Sequence, residues 1–286
     1  MKVALIQLAG GTGDKAADIA LACEKIREAA ANGADFAVLP EMFCCPYDNA
    51  CFPSFGETAG GQAQSALSRL AGELGIYIVG GSVPELADGN VYNTSYVYDR
   101  RGRELARHRK AHLFDIDVAG GQRFFESDTL TPGNQITTFD TEFGPMGLCV
   151  CFDLRFEELV RCMTLRGAKC IFVPAAFNMT TGPAHWELLF RQRAVDNQCF
   201  TVGVSPARNM DASYVAYGNS LAVDPWGTIL CRAEGEATVL YAELDLSKVT
   251  SVRSQLPILS ARRTDMYELR ELSSVPRYSG LYPTFL

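Results

Sequence analysis

The stretch Met146–Val160, "MGLCVCFDLRFEELV", begins as an apolar strand and continues as a segment that is typical of a turn into a helix. Its first residues form an almost continuous apolar run, the pattern of a strand that is covered on both faces. The residues that follow the run begin an amphipathic segment that ends near Arg166-Gly167. A buried strand followed directly by a helix predicts a layered α/β protein.

Two cysteines of this stretch differ in their expected surroundings. Cys149 and Cys151 lie two positions apart, so a strand points both thiols to the same face. Cys149 is flanked by Leu148 and Val150 and is interpreted as a packing residue. Cys151 stands at the turn, where a nucleophile is accessible and backbone N–H groups can stabilise an oxyanion. We therefore predict Cys151 as the candidate nucleophile.

The alternation of strand and helix patterns extends over most of the chain. Strand patterns alternate with helical stripes up to residue 83, neighbouring strands follow from Val91, and the alternation then resumes. The main predicted strands are "KVALIQL", "ADFAVLP", "IYIVGGSV", "VYNTSYVYD", "ELARHRK", "AKCIFVPAAF" and "CFTVGVSPA". No linker, charge block or low-complexity run divides the sequence, so we predict a single domain over residues 1–286.

A glutamate and a lysine also stand at the carboxyl ends of predicted strands. Glu41 follows "AVLP" and Lys110 follows "ELARHR", and binding sites of α/β sheets gather at that edge. A thiol with an ordinary pKa of about 8.5 needs a base at neutral pH, and none of the histidines offers a clear partner. A carboxylate with a raised pKa can accept the proton, and an ammonium group can stabilise the thiolate and the oxyanion. Glu41, Lys110 and Cys151 together suit attack on an unactivated amide through a thioester.

These residues lie in three motifs: "LPEMF" around Glu41, "HRKAHLF" around Lys110 and "CFDLRFEEL" around Cys151. In order and spacing the motifs resemble those of the nitrilase-like carbon-nitrogen hydrolase superfamily, over nearly the whole chain. The resemblance implies a four-layer αββα sandwich that assembles as a homodimer or larger homo-oligomer, with no metal or organic cofactor. It also implies Glu41 as general base, Lys110 as oxyanion stabiliser or acid, and Cys151 as nucleophile.

The resemblance extends to two further positions near the reacting groups. A second glutamate recurs in the superfamily between the lysine and the cysteine, and "GGQRFFESDTL" supplies it as Glu126. Its implied role is to position Lys110 and to assist proton transfer. Phe152, the residue after the nucleophile, is expected to contribute its backbone N–H to the oxyanion hole.

Within the superfamily the sequence is most similar to omega-amidases, which hydrolyse alpha-ketoglutaramate and alpha-ketosuccinamate. The segments that carry this similarity are "HLFDIDVAG", "FNMTTGPAHWELL", "RAVDNQ", "SPARN", "SYVAYGNS" and "DPWG". Hydrolysis of deaminated glutathione or of an N-carbamoyl amine is the alternative reaction. A catalytically silent binding scaffold is the alternative outside enzymes.

A pocket for such small-molecule amides must hold a carboxylate, which an arginine binds in a bidentate manner. Arg155, four residues after Cys151, is the first candidate for this contact. The alternative is an ion pair between Arg155 and a neighbouring carboxylate, namely Asp153, Glu157 or Glu158. Thr181 and Ser205 lie on loops after predicted strands and are further candidates for the pocket, without a definite role.

Composition argues against several other classes of function. The net charge of −7 opposes binding to nucleic acid or to an acidic membrane surface, and no apolar run reaches the length of a membrane span. The ten cysteines are scattered, which favours reduced thiols in a cytoplasmic protein. A zinc site is not expected, because there is no C-x-x-C pair and only three histidines are present. The loop "FCCPYDNACF", which contains Cys44, Cys45 and Cys51, is interpreted as packing or as an oxidation-sensitive segment.

Overall fold

A computed structural model describes residues 1–272 of the chain. The predicted single domain of residues 1–286 extends past this boundary and stays a prediction. Within the described residues, no helix is both long and apolar enough to cross a bilayer.

Two large β-sheets form the centre of the molecule. The first sheet contains β1 (Lys2–Gln7), β2 (Phe36–Val38), β3 (Tyr77–Val79), β4 (Val83–Ala87), β5 (Asn90–Tyr98), β6 (Glu104–Arg109) and β15 (Thr238–Glu243). Its spatial order is β15-β1-β2-β3-β5-β4, with β6 paired to β5. The second sheet contains β9 (Thr137–Thr141), β10 (Gly144–Leu148), β11 (Cys170–Pro174), β12 (Phe200–Val204), β13 (Leu221–Val223) and β14 (Ile229–Arg232), in the order β14-β13-β12-β11-β10-β9. A separate hairpin pairs β7 (Asp115–Asp117) with β8 (Arg123–Phe125).

Helices cover the outer face of each sheet. The helices of the described residues are α1 (Lys15–Ala31), α2 (Phe52–Phe55), α3 (Gln62–Leu74), α4 (Glu157–Leu165), α5 (Gly182–Asn197) and α6 (Ser247–Gln255), of which α1, α3, α4 and α5 form the outer layers. Apolar side chains of α1 and α3 pack on the first sheet, and those of α4 and α5 pack on the second. The α3 stripe of Ala63, Leu67 and Leu70 is buried as its helical spacing predicts. The helix ends at Gly75, whose φ of 67° is a left-handed conformation that glycine adopts without strain.

The inner faces of the two sheets pack against each other. Phe36 of the first sheet and Phe172 of the second stack with ring centroids 5.1 Å apart, within a continuous apolar cluster. Parallel strands dominate the middle of both sheets, and burial on both faces explains their apolar sequences. The order helix, sheet, sheet, helix confirms the predicted four-layer αββα sandwich.

The predicted strand "IYIVGGSV" is wrong in one respect, because the structure divides it into β3 and β4. The break lies at Gly80-Gly81, where Gly81 has a φ of 60°. A Cβ atom at Gly81 would lie 2.2 Å from the carbonyl oxygen of Pro40. Only glycine permits this close backbone approach. The break between the two strands therefore packs directly against Pro40, the residue before Glu41.

Candidate active site

Cys151 lies at the turn that connects β10 to the second outer layer of helices. The residue has a φ of 49°, a conformation that non-glycine residues adopt rarely and that is often found at functional sites. A short 3-10 helix of residues Cys151–Arg155 begins at the thiol, and α4 follows. Cys149 is completely buried in the apolar cluster beneath α4 and α5, as the packing interpretation predicts. The strained turn therefore separates the environments of the two thiols.

Three charged side chains meet in a fully buried cluster beside this turn. Lys110, directly after β6, donates a hydrogen bond of 2.9 Å from Nζ to Oε1 of Glu41. The same ammonium group lies 2.9 Å from both carboxylate oxygens of Glu126. Glu126 is held in turn by the backbone N–H of Phe114, at 2.7 Å from Oε2. Lys110 is thus clamped between two carboxylates, which compensates the cost of burying its charge.

The two oxygens of the Glu41 carboxylate have different surroundings. Oε1 accepts hydrogen bonds from Lys110 and from Nδ2 of Asn93, the latter at 2.8 Å. Oε2 is buried and receives no hydrogen bond from a nitrogen or oxygen within residues 1–272. The Cys151 thiol lies close enough to this carboxyl group for the carboxylate to raise the pKa of the thiol. Oε2 is therefore the atom of Glu41 that is free to take the thiol proton.

Burial determines the protonation of the resting site. Burial raises the pKa of Glu41, an effect that Lys110 opposes and Glu126 reinforces. Burial and the Glu41 carboxylate raise the pKa of the Cys151 thiol well above its usual value, although Lys110 and the backbone of Ala176 oppose the shift. Burial by itself would lower the pKa of Lys110, but Glu126 and Glu41 outweigh it, so the pKa is raised. These shifts favour a neutral thiol and an ammonium ion, and they make the Glu41 carboxylate more basic than that of an exposed glutamate.

Tyr47 also belongs to this cluster, and the sequence interpretation missed it. Its hydroxyl lies 2.6 Å from Oε1 of Glu126 and 3.2 Å from Oε1 of Glu41, and Nζ of Lys110 is 3.4 Å away. A hydroxyl has one proton to donate, and the shorter contact assigns it to Glu126. The ring stacks on Tyr214 with centroids 4.3 Å apart. The loop interpreted as packing or oxidation-sensitive therefore carries a side chain into the site.

Replacing Tyr47 with phenylalanine is expected to lower kcat about tenfold, because Glu126 loses a hydrogen bond to its charged form and holds Lys110 less firmly. Stacking on Tyr214 is preserved, so the fold is expected to be retained. Tyr98→Phe is the matched control, since the Tyr98 hydroxyl is buried without a partner in the described residues. Steady-state ammonia release from both variants measures the effect. Equal rates in the two variants would remove Tyr47 from the site.

Arg155 contacts aromatic rings and a histidine rather than a carboxylate. Its guanidinium carbon lies 4.8 Å from the ring centroid of Phe177 and 5.5 Å from that of Phe152, and Nη1 is 3.1 Å from Nδ1 of His185. The alternative ion pair with Asp153, Glu157 or Glu158 is absent from the described residues. Burial lowers the pKa of Arg155, and its Nε has no hydrogen-bond partner within residues 1–272. The guanidinium group thus has no acidic partner within residues 1–272.

The other predicted pocket residues differ in placement. Phe152 follows the nucleophile directly, and its ring packs edge-on against Phe114 with centroids 5.2 Å apart. The Thr181 hydroxyl donates to Oδ1 of Asn178 at 3.0 Å, immediately before α5. Ser205 is fully buried after β12 and donates to the carbonyl of Pro206 at 3.2 Å. The structure therefore places Phe152 beside the nucleophile, whereas the Thr181 and Ser205 hydroxyls donate to residues near them in sequence.

An open cavity of about 440 Å³ gives access to the cluster. Glu41, Tyr47 and Tyr214 form part of its inner wall, and Ala176 lies beside them. Two loops also line the cavity: residues 9–12 after β1 and parts of residues 206–216 after β12, the loop that contains Tyr214. A cavity of this size accommodates a small organic substrate beside the carboxylate.

Known proteins are similar to this chain in both sequence and fold. The family model described as "Carbon-nitrogen hydrolase" matches residues 2–254. Omega-amidase NIT2 of Mus musculus is 48% identical over 266 residues, which cover 93% of this chain and 96% of the relative. Omega-amidase NIT2 of Homo sapiens is 47% identical with the same coverage. The crystal structure of Saccharomyces cerevisiae Nit3, a member of branch 10 of the nitrilase superfamily, is similar with a TM-score of 0.85 and 40% identity, covering 92% of this chain and 96% of that one.

The match therefore extends over nearly all of the described sandwich, from β1 to α6. The resemblance based on the "LPEMF", "HRKAHLF" and "CFDLRFEEL" motifs is confirmed at the level of the superfamily and of omega-amidase relatives. The chain belongs to the carbon-nitrogen hydrolase family of the nitrilase superfamily and is an amide-hydrolysing enzyme.

Proposed function

We propose that this amidase hydrolyses the terminal amide of small alpha-keto dicarboxylic acid monoamides, such as alpha-ketoglutaramate and alpha-ketosuccinamate, through a thioester on Cys151. The products are the dicarboxylate and ammonia. The observation that carries the mechanism is the unequal pair of oxygens on Glu41, one bonded to Lys110 and the other buried without a hydrogen-bond partner within residues 1–272. The placement of a base within reach of a nucleophile is the geometric requirement for covalent catalysis.

Acylation begins with transfer of the Cys151 proton to Glu41 as the sulfur attacks the amide carbon. Because the resting thiol is neutral, proton transfer and attack are coupled rather than sequential. The protonated Glu41 then donates to the departing nitrogen, which leaves as ammonia, and the carbonyl collapses to a thioester. Water attacks the thioester with Glu41 as base, the thiolate departs and regains its proton, and the second product is a carboxylic acid.

The oxyanion of each tetrahedral intermediate requires donors that are already in place. Lys110 has three N–H donors, and its contact of 3.4 Å with the Tyr47 hydroxyl is the longest of its hydrogen bonds. That donor is the one most easily redirected to an oxyanion, while Glu41 and Glu126 retain the other two. The backbone N–H of Phe152 is proposed as the second donor, because it follows the nucleophile directly at the turn.

Arg155 supports the choice of a substrate that carries a carboxylate. Its guanidinium group is partly buried and has no acidic partner in the described residues, so a substrate anion would supply the missing charge. The relatives at 47 to 48% identity are named omega-amidases, which supports the same substrate class. Thr181 and Ser205 are not used in this proposal, since their hydroxyls donate within the protein.

A direct substrate panel tests the proposed specificity. The panel contains alpha-ketoglutaramate, alpha-ketosuccinamate, deaminated glutathione, an N-carbamoyl amine and glutamine, each scored for ammonia release. Alpha-ketoglutaramate is expected to give the highest kcat/KM. A higher value for deaminated glutathione or the N-carbamoyl amine would replace the proposal with that alternative.

Replacing Arg155 with methionine is expected to raise KM for alpha-ketoglutaramate by about two orders of magnitude, because a charge-assisted bidentate contact is lost. A neutral amide such as butyramide has no carboxylate to bind, so its kcat/KM is expected to change by less than about threefold on the same basis. Measuring both substrates with wild type and variant separates binding from damage to the site. An equal loss on the two amides would contradict the carboxylate role.

Compartment and assembly remain proposals. All ten cysteines are free thiols, which supports the expected cytoplasmic location. Leu188 on α5 and Trp226 in the β13–β14 turn are exposed apolar residues at 60% and 59% accessibility, which supports the expected homo-oligomer.

A further inference from the structure

We propose that Asp153 is a positioning residue that sets the distance between the Cys151 thiol and the Lys110 ammonium group. This inference rests on the proposed function, since it takes Cys151 as the nucleophile. Asp153 lies two residues after Cys151, within the 3-10 helix, and is completely buried. The sequence interpretation considered it only as a possible partner of Arg155, which it does not contact through an ion pair.

The Asp153 carboxylate has four contacts, and they connect two distant parts of the chain. Oδ2 accepts the backbone N–H of Val150 at 3.1 Å, immediately before the nucleophile. The same oxygen lies 2.9 Å from Nε2 of His108. Oδ1 accepts the backbone N–H of His112 at 2.8 Å and lies 2.7 Å from Nδ1 of that ring. One carboxylate therefore holds both ends of the segment around Lys110 and the entry to the Cys151 turn.

The connection crosses the sandwich at its reactive edge. His108 belongs to β6 of the first sheet and is fully buried, whereas Asp153 follows β10 of the second. The other ring nitrogen of His108, Nδ1, lies 2.9 Å from the hydroxyl of Thr137, at the start of β9 in the second sheet. Thr137 and Asp153 thus fix the imidazole from both sides. Any shift between the sheets at this edge would have to break these buried bonds.

The ionised form of Asp153 is the form that this geometry stabilises. Although burial opposes ionisation, the contacts with His108 and His112 hold the pKa of Asp153 below its usual range. A carboxylate has two acceptor oxygens, and each of them can accept the two hydrogen-bond donors that face it. An asparagine has one acceptor atom, and its amide group would face either the N–H of Val150 or a ring of histidine. In either orientation the isosteric change therefore leaves a backbone donor without a partner, at Val150 before the nucleophile or at His112 after Lys110.

Asp153→Asn is expected to lower kcat at least about tenfold with little change in KM, because misalignment of thiol and ammonium acts on the transition state. Inactivation of Cys151 by iodoacetamide is expected to change as well, since the thiol has a new environment. Asp224→Asn is the matched control: Asp224, in the β13–β14 turn, is also buried, accepts the backbone N–H groups of Trp226 and Thr228, and pairs with Lys248 of α6. It is expected to lower thermal stability while keeping kcat.

His112 offers a second test if Asp153→Asn fails to fold. The His112 ring is 30% exposed and stacks on Phe156 with centroids 3.6 Å apart. His112→Phe preserves the stacking but removes the side-chain donor to Asp153, whereas His112→Gln preserves a side-chain donor; the backbone N–H donates in both variants. The phenylalanine variant is expected to lose about tenfold in kcat, and the glutamine variant to recover most of it.

The outcomes distinguish the two proposals. Alkylation of Cys151 in the wild-type enzyme must abolish turnover; if it does not, the nucleophile assignment itself fails. If alkylation inactivates the enzyme but Asp153→Asn keeps wild-type kcat in its folded fraction, Asp153 has only a structural role and the inference is overturned. Equal kcat in His112→Phe and His112→Gln would overturn it in the same way.

Discussion

Cys151→Ala is expected to lower amide hydrolysis by at least about three orders of magnitude, because alanine cannot form the thioester and the remaining groups activate only water. The fold is expected to persist, since the change removes one sulfur atom from a turn whose bonds are made by Asp153 and the backbone. Ammonia release from alpha-ketoglutaramate measures the loss. Mass spectrometry of acid-quenched enzyme tests for the acyl adduct, which is expected in the wild type and absent in the variant.

Cys149→Ala is the matched control for this experiment. Cys149 is completely buried in the apolar cluster beneath α4 and α5, so its loss is expected to cost on the order of 1 kcal/mol of stability. Its kcat is expected to remain near the wild-type value. Full activity in Cys151→Ala, or an acyl adduct on Cys149, would refute the assignment of the nucleophile.

Glu41→Gln is expected to lower kcat by at least about two orders of magnitude, because an amide cannot accept the thiol proton. The amide oxygen can still accept the hydrogen bond of Lys110, so the change tests the base more than the packing. Glu57→Gln is the control, because Glu57 is a buried carboxylate that pairs with Lys15 and receives the N–H of Ala63 away from the site. A kcat for Glu41→Gln within a few-fold of this control would contradict the role of Glu41.

The pH profile of the same variants provides an independent measure of the base. Burial raises the pKa of Glu41, and Glu41 must be ionised to act, so kcat/KM is expected to fall as the pH decreases through that raised value. The fall is expected at higher pH than an exposed glutamate would give. In Glu41→Gln the residual rate is expected to lose this acid limb. An unchanged acid limb would assign it to another group.

Local patterns predicted the layers of the fold with good agreement. The apolar runs became β1, β2, β11 and β12, and the stripe in α3 is buried as expected. These features depend on neighbours within a few residues, which is why periodicity reveals them. The break at Gly81 was missed because it depends on the approach of Pro40, far away in sequence. The small hairpin of β7 and β8 also has no strong local pattern, since its strands are three residues long.

The site shows the same division between local and distant information. Motif order and chemistry predicted Glu41, Lys110, Glu126 and Cys151 as site residues, and the structure places their side chains close together. Tyr47 was missed because its partners are contributed by other segments of the chain. Arg155 was considered with its sequence neighbours, but the 3-10 turn directs it toward His185 and Phe177 instead.

The sequence by itself determined the layered α/β architecture and the family, and it predicted the candidate reacting groups, because these depend on periodicity and on motifs that are read locally. Only the tertiary structure decided which oxygen of Glu41 is free, which carboxylate connects the nucleophile turn to the lysine, and which hydroxyls point away from the site. The physical reason for the first two is that hydrogen bonds between segments 40 or more residues apart fix them. For the hydroxyls, spacing along the chain does not specify the direction of a buried side chain.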